Sequence, residues 1–258
     1  MDILNSFGIK PTNTFVSAGT DYYVPNIDDN DLTKRALALN AFEKSYGVNS
    51  GDIVIIKDRL SLLVLDDHKD TNQICNLIHF FLAVGNKELD KRKSISLGGA
   101  VDYFYENYVI WDKDGKCGVA LKLNDTLFIN SGIKVALDTA WNVNGKEKYE
   151  TVKLLKNLGF GIAGLYVNKS GKGNAGFDIR ACLVDEDYSG YVHLSMAYTK
   201  DLFKEGKNFV YAGDKLVQMM LIPIIHTTYN ERNEYDYNEI MSQSKRGDSG
   251  FGSSDVKH

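Results

Sequence analysis

The sequence is poor in cysteine and proline and has no long apolar run, and these shortages exclude several classes of protein. Cys75, Cys117 and Cys182 are too few and too widely spaced for a zinc pattern or a disulfide framework, which indicates a reducing compartment. No run approaches the roughly 18 apolar residues that span a bilayer. The N-terminus lacks the basic and apolar regions of a secretory signal. We therefore expect a cytoplasmic protein without a membrane partner.

Excess positive charge is also missing. The formal net charge of −4 does not favour binding to polyanions such as duplex DNA, so no nucleic-acid partner is expected. A small phosphorylated ligand is compatible with this charge, because local cations and backbone amides bind it irrespective of the net charge.

What the sequence has is a series of short apolar runs bounded by Gly, Asn and Asp, which predicts a mainly antiparallel β protein. Examples are GIAGLYV, YVHLSMAY and KLVQMMLIPII, and the runs GDIVIIKD and SLLVLD are also assigned to strands. Only three prolines occur in 258 residues, whereas 23 glycines and 15 tyrosines predict tight turns and aromatic-rich strands.

Two segments, 31–46 and 71–84, have helical rather than strand periodicity. The first has Asn30 or Asp31 to cap it and Gly47 to end it, and the second carries apolar residues at i, i+3, i+4, i+7 and i+8. Together with the two strands between them, they predict a compact α/β insertion over residues 26–123. His79 lies beside the apolar stripe of the second helix, and without a second ligand nearby we interpret it as a structural histidine rather than a metal ligand.

Two glycine-containing motifs are candidates for binding phosphate and metal. In AGTDYYVP (residues 18–25), Asp21 is placed to hold a metal-bound water, although an aspartate after glycine is usually only a turn. In NKSGKGNAG (residues 168–176), exposed amides, Lys169 and Ser170 make a candidate phosphate cradle. Taken alone, that second stretch equally suits a hairpin turn.

Three further motifs supply candidate catalytic and ligand-binding groups. LVDEDYSGYV (residues 183–192) ends a strand at Asp185, which is placed to act as a general base, although a solvated turn has the same composition. In AGDKLVQMMLIPI (residues 212–224), Gln218 is a lone amide in an apolar strand and needs a backbone or ligand partner. In KRGDSGFGSS (residues 245–254), Arg246 suits a phosphate and Phe251 an aromatic ligand, or else the tail is unstructured.

In this order, the five motifs resemble those of the trimeric dUTPase family. The resemblance is specific at AGTDYY, LVDEDYSG, GDKLVQMML and RGDSGFGSS, and looser at NKSGKG, where the family usually has Pro-Arg-Ser. It covers about the first 25 residues and most of the chain from Ser131 onward, including INSGIKVAL. The insertion is not covered, and oversized members with such additions occur among bacteriophage enzymes.

The resemblance implies a fold, an assembly and a reaction. The fold is a distorted β jelly-roll barrel built from residues 1–25 and 124–225, with the insertion at 26–123 and a C-terminal arm at 226–258. Three copies form a homotrimer with shared active sites, which hydrolyses dUTP to dUMP and pyrophosphate with Mg²⁺ as cofactor. If the protein is viral, its location is the host cytoplasm.

The resemblance also assigns roles to individual residues. Asp185 activates the water that attacks the α-phosphorus, and Tyr188 packs beneath the deoxyribose. The hairpin 177–181, which includes Ile179, reads the uracil edge, and Asp21 holds Mg²⁺ through water. Phe251 stacks on uracil. The residues expected to contact the phosphates are Lys169, Ser170, Gly171, Gln218, Arg246, Gly252 and Ser253.

The sequence departs from the family pattern at several positions. The replacements are Asn168 and Lys169 for Pro-Arg, Cys182 for Gly, Lys215 for Arg and Asp255 for Gly. Lysine keeps the charge of arginine but loses its planar fork. Because none of the replacements removes Asp185, Tyr188 or Phe251, activity is expected.

Two alternatives remain open at this level. A dCTP deaminase shares the fold but needs a glutamate on the pocket hairpin and lacks this C-terminal motif. A dUTP-gated regulatory protein uses the insertion to engage a host partner, for which the helix at 71–84 is amphipathic enough, although its apolar face is better explained as the insertion's own core.

Overall fold

The computed structural model describes residues 2–12, 19–137, 154, 156–181, 183–200 and 208–226. The chain divides into two units, Met1–Ile224 and Ile225–His258. Of the second unit only Ile225 and His226 are described, so the predicted C-terminal arm lies almost entirely outside the described residues. The predicted domain boundaries remain a prediction.

Twelve strands in the described residues form three sheets. The first sheet has the order β1-β6-β10-β8, with β3 also paired to β6; the second is β11-β5-β4, and the third is β2-β12-β7-β9. The bounds are β1 Asp2–Asn5, β2 Thr20–Tyr23, β3 Val84–Gly85, β4 Val109–Trp111, β5 Cys117–Ala120, β6 Thr126–Ala136, β7 Phe160–Asn168, β8 Phe177–Ile179, β9 Leu183–Val184, β10 Tyr191–Tyr198, β11 Phe209–Tyr211 and β12 Lys215–Ile225. The mainly β fold with an inserted helical region is confirmed.

Five longer helices lie between β2 and β4, inside the predicted insertion. They are α1 Leu32–Tyr46, α2 Ser50–Asp66, α3 Ile74–Ala83, α4 Lys87–Ile95 and α5 Leu97–Tyr108, and a 3₁₀ turn, Thr71–Gln73, precedes α3. A short helix, Ser170–Asn174, follows β7. None of the described helices is both long enough and apolar enough to cross a membrane.

The two predicted helices are confirmed, and α1 has the predicted caps, whereas α3 begins after the 3₁₀ turn without a side-chain cap. The Asp31 carboxylate accepts a hydrogen bond from the Lys34 amide at the start of α1, and Gly47 ends α1 in the left-handed conformation at φ 65°. Nine of the ten residues of α3 are buried, His79 among them. The apolar face of α3 is therefore part of the protein interior and cannot serve as a docking surface.

The two strands predicted at GDIVIIKD and SLLVLD are wrong, because both runs belong to the single helix α2. The β-branched cluster Ile53–Ile56 favoured a strand. However, the buried side chains Ile53, Ile56, Leu60 and Val64 have helical spacing. A capping box, in which Asn49 and Asp52 each accept from the other's backbone amide, starts the helix.

Strand β6 contains most of two apolar runs of the sequence, DTLFI and GIKVALD, in one continuous strand. Gly132, at φ 71°, is the first residue of the second run, and the Ser6 amide donates to its carbonyl at 3.0 Å. A side chain at Gly132 would clash with the backbone of Gly8, so glycine is required there. One hydrophobic cluster contains both Ile129 and Val135 of this strand and Phe42 and Phe81 of the helices.

Candidate functional site

Three of the predicted site residues come together at the sheet β2-β12-β7-β9. Asp21 of β2 lies directly opposite Gln218 of β12 in their antiparallel pairing, and β7, the next strand, leads into Lys169. Lys169 and Gln218, which are 148 and 197 positions from Asp21 in the sequence, are therefore its neighbours in the fold.

Asp21 is the centre of a hydrogen-bonded cluster. Its Oδ1 accepts from Lys169 Nζ at 2.7 Å and from Gln218 Nε2 at 3.0 Å. Its Oδ2 forms an ion pair with Lys215 Nζ at 3.1 Å. The partner that the lone amide of Gln218 requires is thus the Asp21 carboxylate. Two ammonium groups share one carboxylate, so the cluster retains one positive charge for a ligand.

The electrostatics keep the Asp21 carboxylate ionised. Burial by itself would raise the pKa of Asp21, but hydrogen bonds from Lys169, Gln218 and Lys215 outweigh it and lower the pKa below its ordinary value. The hydrogen bond to Asp21 correspondingly raises the pKa of Lys215. Both charges therefore persist at neutral pH.

The cluster borders an open cleft of about 480 Å³. Three lysines and one aspartate among its lining residues make the cleft electropositive, and two aromatic residues give it an apolar side. Its lining residues are Lys169, Ser170, Gly171, Lys172, Ala175, Phe209, Tyr211, Asp214 and Lys215. A cationic cleft with exposed Ser170 and Gly171 at its edge suits an anionic, phosphate-bearing ligand.

Asp185 and Tyr188 lie together at the end of β9. Asp185 is exposed, and its carbonyl accepts the Tyr188 amide at 3.1 Å to close a turn. The Tyr188 hydroxyl donates to the Tyr191 carbonyl at 2.7 Å, while the residue is 40% exposed. A side chain at Gly190 would clash with the Tyr188 ring, so this glycine allows the ring its position. An exposed aspartate and an aromatic residue with a fixed hydroxyl thus belong to one turn.

Within one chain, Asp185 is not brought to the Asp21 cluster. Asp21 lies in β2 and Asp185 follows β9, and these are the two edge strands of the sheet β2-β12-β7-β9. Three inter-strand spacings of about 4.8 Å put the two strands about 14 Å apart. Asp185 is also not among the residues that line the cleft.

The other predicted site residues are less informative. Ile179 lies in β8 of a different sheet, opposite Met196 of β10, and is half-buried. Arg246, Phe251, Gly252 and Ser253 lie outside the described residues. Sequence reasoning had noted Lys215 only as a departure from the family and had missed Lys172 and Asp214. The position of Lys215 three residues before Gln218, at the start of the same strand, was the available signal.

His79 is a structural histidine, 2% exposed. Its Nε2 accepts from the Asn130 amide at 3.2 Å and lies 3.0 Å from the Tyr46 hydroxyl. Burial, with a smaller contribution from His193, lowers the pKa of His79 to about 3. In the described part of the chain, no group of three or more His, Cys, Asp or Glu side chains is arranged to hold a metal ion directly.

Comparison with known proteins finds similarity among solved structures. No family model matches the chain, and no curated protein matches it. A mutant dUTPase of Staphylococcus bacteriophage 80alpha with dUpNHpp is 16% identical, covering 57% of this chain and 90% of that one, with a TM-score of 0.37. A mutant dUTPase from phage phi11 of S. aureus, described with a structural Mg(II) ion, is 16% identical over 51% and 94% of the two chains, with a TM-score of 0.31. The native EIAV dUTPase is 17% identical over 49% and 89%, with a TM-score of 0.27.

These three solved structures are all dUTPases, and their TM-scores are all below 0.5.

Proposed function

We propose that the protein is a dUTP diphosphatase that hydrolyses dUTP to dUMP and pyrophosphate. The observation that carries the proposal is the convergence of Asp21, Lys169 and Gln218, from three separate motifs, into one hydrogen-bonded cluster at an electropositive cleft. Each of these motifs taken alone had an ordinary interpretation as a turn or a strand. Neither a turn nor a buried amide requires these three residues to meet at one site.

The cleft supplies the groups that a triphosphate needs. Lys169 and Lys215 carry the excess positive charge, and Ser170 with the Gly171 amide offers uncharged donors at the cleft edge. Charged donors hydrogen-bond phosphate oxygens about twice as strongly as neutral ones do. In the proposal, Gln218 holds Asp21 and contacts the phosphate chain from the same position.

The residues present fit a Mg²⁺ ion that is held through phosphates and water rather than by protein ligands. Asp21 Oδ1 accepts two hydrogen bonds but Oδ2 accepts from one ammonium group, which leaves Oδ2 capacity for a metal-bound water. When bound, Mg²⁺ would neutralise phosphate charge and hold the chain for in-line attack.

The proposed site is shared between copies of the chain in a homotrimer. Asp185 of one copy would activate the water that attacks the α-phosphorus, and the bond to the leaving pyrophosphate breaks as the new P–O bond forms. Tyr188 would face the deoxyribose. Separation of Asp185 from the lysine cluster within one chain supports this arrangement, as do the exposed apolar side chains Leu183 and Leu221 on the same sheet. Arg246, Phe251, Gly252 and Ser253 would close the site over uracil and the phosphates.

An assay of purified full-length protein with dUTP, dTTP, dCTP, dATP and dGTP tests the proposal. We expect dUMP and pyrophosphate from dUTP, with the other four nucleotides consumed much more slowly. Equal rates for all five, or no hydrolysis, would contradict it. Ammonia release from dCTP would instead indicate the deaminase alternative, against which the hairpin 177–181 carries no glutamate.

A dUTP-gated regulatory role is a second candidate, favoured by one surface. Val54, Ile55, Leu62 and Leu65 of α2 are each about half exposed and lie along one side of the helix. If this stripe engages a host protein, Leu62→Asp should abolish a dUTP-dependent complex without reducing dUTP hydrolysis. A complex that survives this substitution would contradict the use of the stripe.

A further inference from the structure

A second ion pair ties the short helix Ser170–Asn174 to the turn before β12. Lys172 Nζ donates to Asp214 Oδ2 at 2.8 Å and to the Phe209 carbonyl at 3.1 Å. The same ammonium lies 5.5 Å from the centre of the Phe177 ring. Although Lys172 lines the cleft, its ammonium group is already occupied by protein groups.

The acceptor side of this pair is itself held rigidly. Asp214 Oδ2 also accepts the Tyr211 amide at 3.2 Å. The Asp214 carbonyl accepts from the Val24 amide at 2.9 Å, and the Gly213 amide donates to the Val24 carbonyl at 3.1 Å. Gly213 has φ 89°, a conformation that glycine adopts readily. The turn is thus anchored to the chain that leaves β2.

Two ion-pair bridges therefore connect residues 169–172 with residues 214–215. Lys169 and Lys215 meet at Asp21, and Lys172 meets Asp214, the neighbour of Lys215. Ser170 and Gly171 lie between the two bridged lysines. A Cβ placed at Gly171 would meet no atom within 4 Å among the described residues outside the backbone of its own short helix, so this exposed turn is held by that helix, through the Ala175 amide that donates to the Gly171 carbonyl at 3.1 Å, and by its two flanking lysines.

We propose that Lys172 and Asp214 are a positioning pair, which holds the Ser170–Gly171 turn in place to bind a polyphosphate without contacting the phosphates itself. The identification of that polyphosphate as the triphosphate of dUTP rests on the proposed function. The positioning role is separable from it, because inorganic triphosphate probes the turn without any hydrolysis.

The direction in which one substitution changes the affinity for triphosphate distinguishes positioning from direct electrostatic attraction. Asp214→Asn removes a negative charge from an electropositive cleft and frees Lys172, so direct attraction alone predicts tighter binding of a polyanion. A positioning pair predicts the opposite result, because the turn loses its anchor. Lys172→Met and Asp214→Asn should then have similar effects, and the double variant should be no worse than either, since both remove the same contact.

The experiment is calorimetric titration of the full-length protein and its variants with inorganic triphosphate at fixed ionic strength. We expect Kd to rise about three- to tenfold for Lys172→Met, for Asp214→Asn and for the double variant, the range for loss of one hydrogen bond of ordinary strength, because the pair acts on the phosphates only through the turn. Lys172→Arg keeps a donor for Asp214 and should stay within about twofold of the wild type. Asp58→Asn on the exposed side of α2 is the matched control for loss of one negative charge and should change nothing.

An unchanged or lower Kd for Asp214→Asn would overturn the proposal, as would a wild type that does not bind triphosphate. If Asp214→Asn does not fold, as judged by circular dichroism, Asp214→Glu decides, because it keeps the negative charge but displaces the carboxylate from Lys172 and the Tyr211 amide: positioning predicts a higher Kd, and direct attraction predicts an unchanged one. In dUTP hydrolysis, Lys172→Met should raise KM by the same factor and leave kcat unchanged, whereas general misfolding lowers the active fraction and hence kcat. A wild type that binds triphosphate but does not hydrolyse dUTP would contradict the proposed function alone.

Discussion

Two polar clusters in this protein differ in their charge. One surrounds Asp21 at the cleft; the other, called the joint below, is formed by His79, Tyr46, Asn130 and Ser45 in the interior. Around Asp21, two lysines and an amide hold one carboxylate; the two ammonium groups together carry one charge more than the carboxylate and keep hydrogens that are not bonded to it. Around His79, the Tyr46 hydroxyl donates to the Phe128 carbonyl at 2.9 Å, and the side-chain nitrogen Asn130 Nδ2 donates to Ser45 Oγ at 2.7 Å.

The joint has no charge, and its side-chain groups pair with one another. His79 stacks on Phe42 with ring centres 4.4 Å apart, so the joint also packs as part of the interior. Burial without a counter-ion lowers the pKa of His79 and keeps it neutral, whereas ion pairing keeps Asp21 charged in spite of burial. Unsatisfied positive charge at a cleft indicates a ligand, and a neutral, satisfied cluster indicates structure.

The largest effect of a single substitution on hydrolysis is expected at Asp185, which belongs to neither cluster. Asp185→Asn removes the proposed general base and should lower kcat for dUTP by about 10²- to 10⁴-fold. Binding of dUTP should persist, because the lysine cluster is intact. Steady-state hydrolysis and calorimetric titration measure the two quantities, and a variant with near-normal kcat would remove Asp185 from this role.

The joint should be destabilised by acid. Because the folded-state pKa of His79 is depressed from 6.5 to about 3, the unfolded chain binds the extra proton first as pH falls. The stability linked to His79 is therefore present above pH 6.5 and is lost progressively toward pH 3, by roughly 2 kcal/mol at pH 5. Urea unfolding across pH 5 to 8 measures it.

Matched variants separate His79 from the other histidines. His79→Gln should reduce the dependence of the unfolding free energy on pH. Some dependence should remain, because burial also lowers the pKa of His193. His68→Asn should leave it unchanged, because His68 is exposed and its φ of 53° suits asparagine. An equal slope in wild type and His79→Gln would contradict the assignment.

Removing one lysine of the cleft should weaken triphosphate binding by a smaller amount. Lys169→Met should raise Kd for inorganic triphosphate about tenfold at low salt, because one charge-assisted contact is lost. Lys57→Met, at an exposed position on α2, removes the same charge far from the cleft and is the control. If both variants lose affinity equally, the effect is that of net charge and the cleft is not the site.

The smallest effect is expected for an ion pair of the insertion surface. Arg59 and Asp102 pair across α2 and α5, with Arg59 Nη2 donating to Asp102 Oδ2 at 3.0 Å. Exposed pairs contribute little to stability, so Arg59→Met should lower the free energy of unfolding by less than about 1 kcal/mol. Triphosphate affinity should not change, and a change would mean that the insertion influences the cleft.

Local patterns were sufficient for some elements and misleading for one. The caps of α1 and the apolar spacing of α3 could be predicted because capping and helical burial act over a few residues. Helix α2 was predicted as two strands because its β-branched run has strand propensity, which packing against α3 and α5 overrides. The pairing of Asp21 with Gln218 was not available from spacing, since it depends on the register of β2 on β12.

By itself, the sequence determined the residue types that can bind a polyphosphate and the order of the motifs that carry them, because these are properties of short stretches. The tertiary structure decided that Asp21, Lys169, Gln218 and Lys215 form one cluster and that Asp185 lies elsewhere in the chain. Strand register and sheet order set these distances. Contacts between segments more than a hundred residues apart depend on how the whole core packs, which no local pattern encodes.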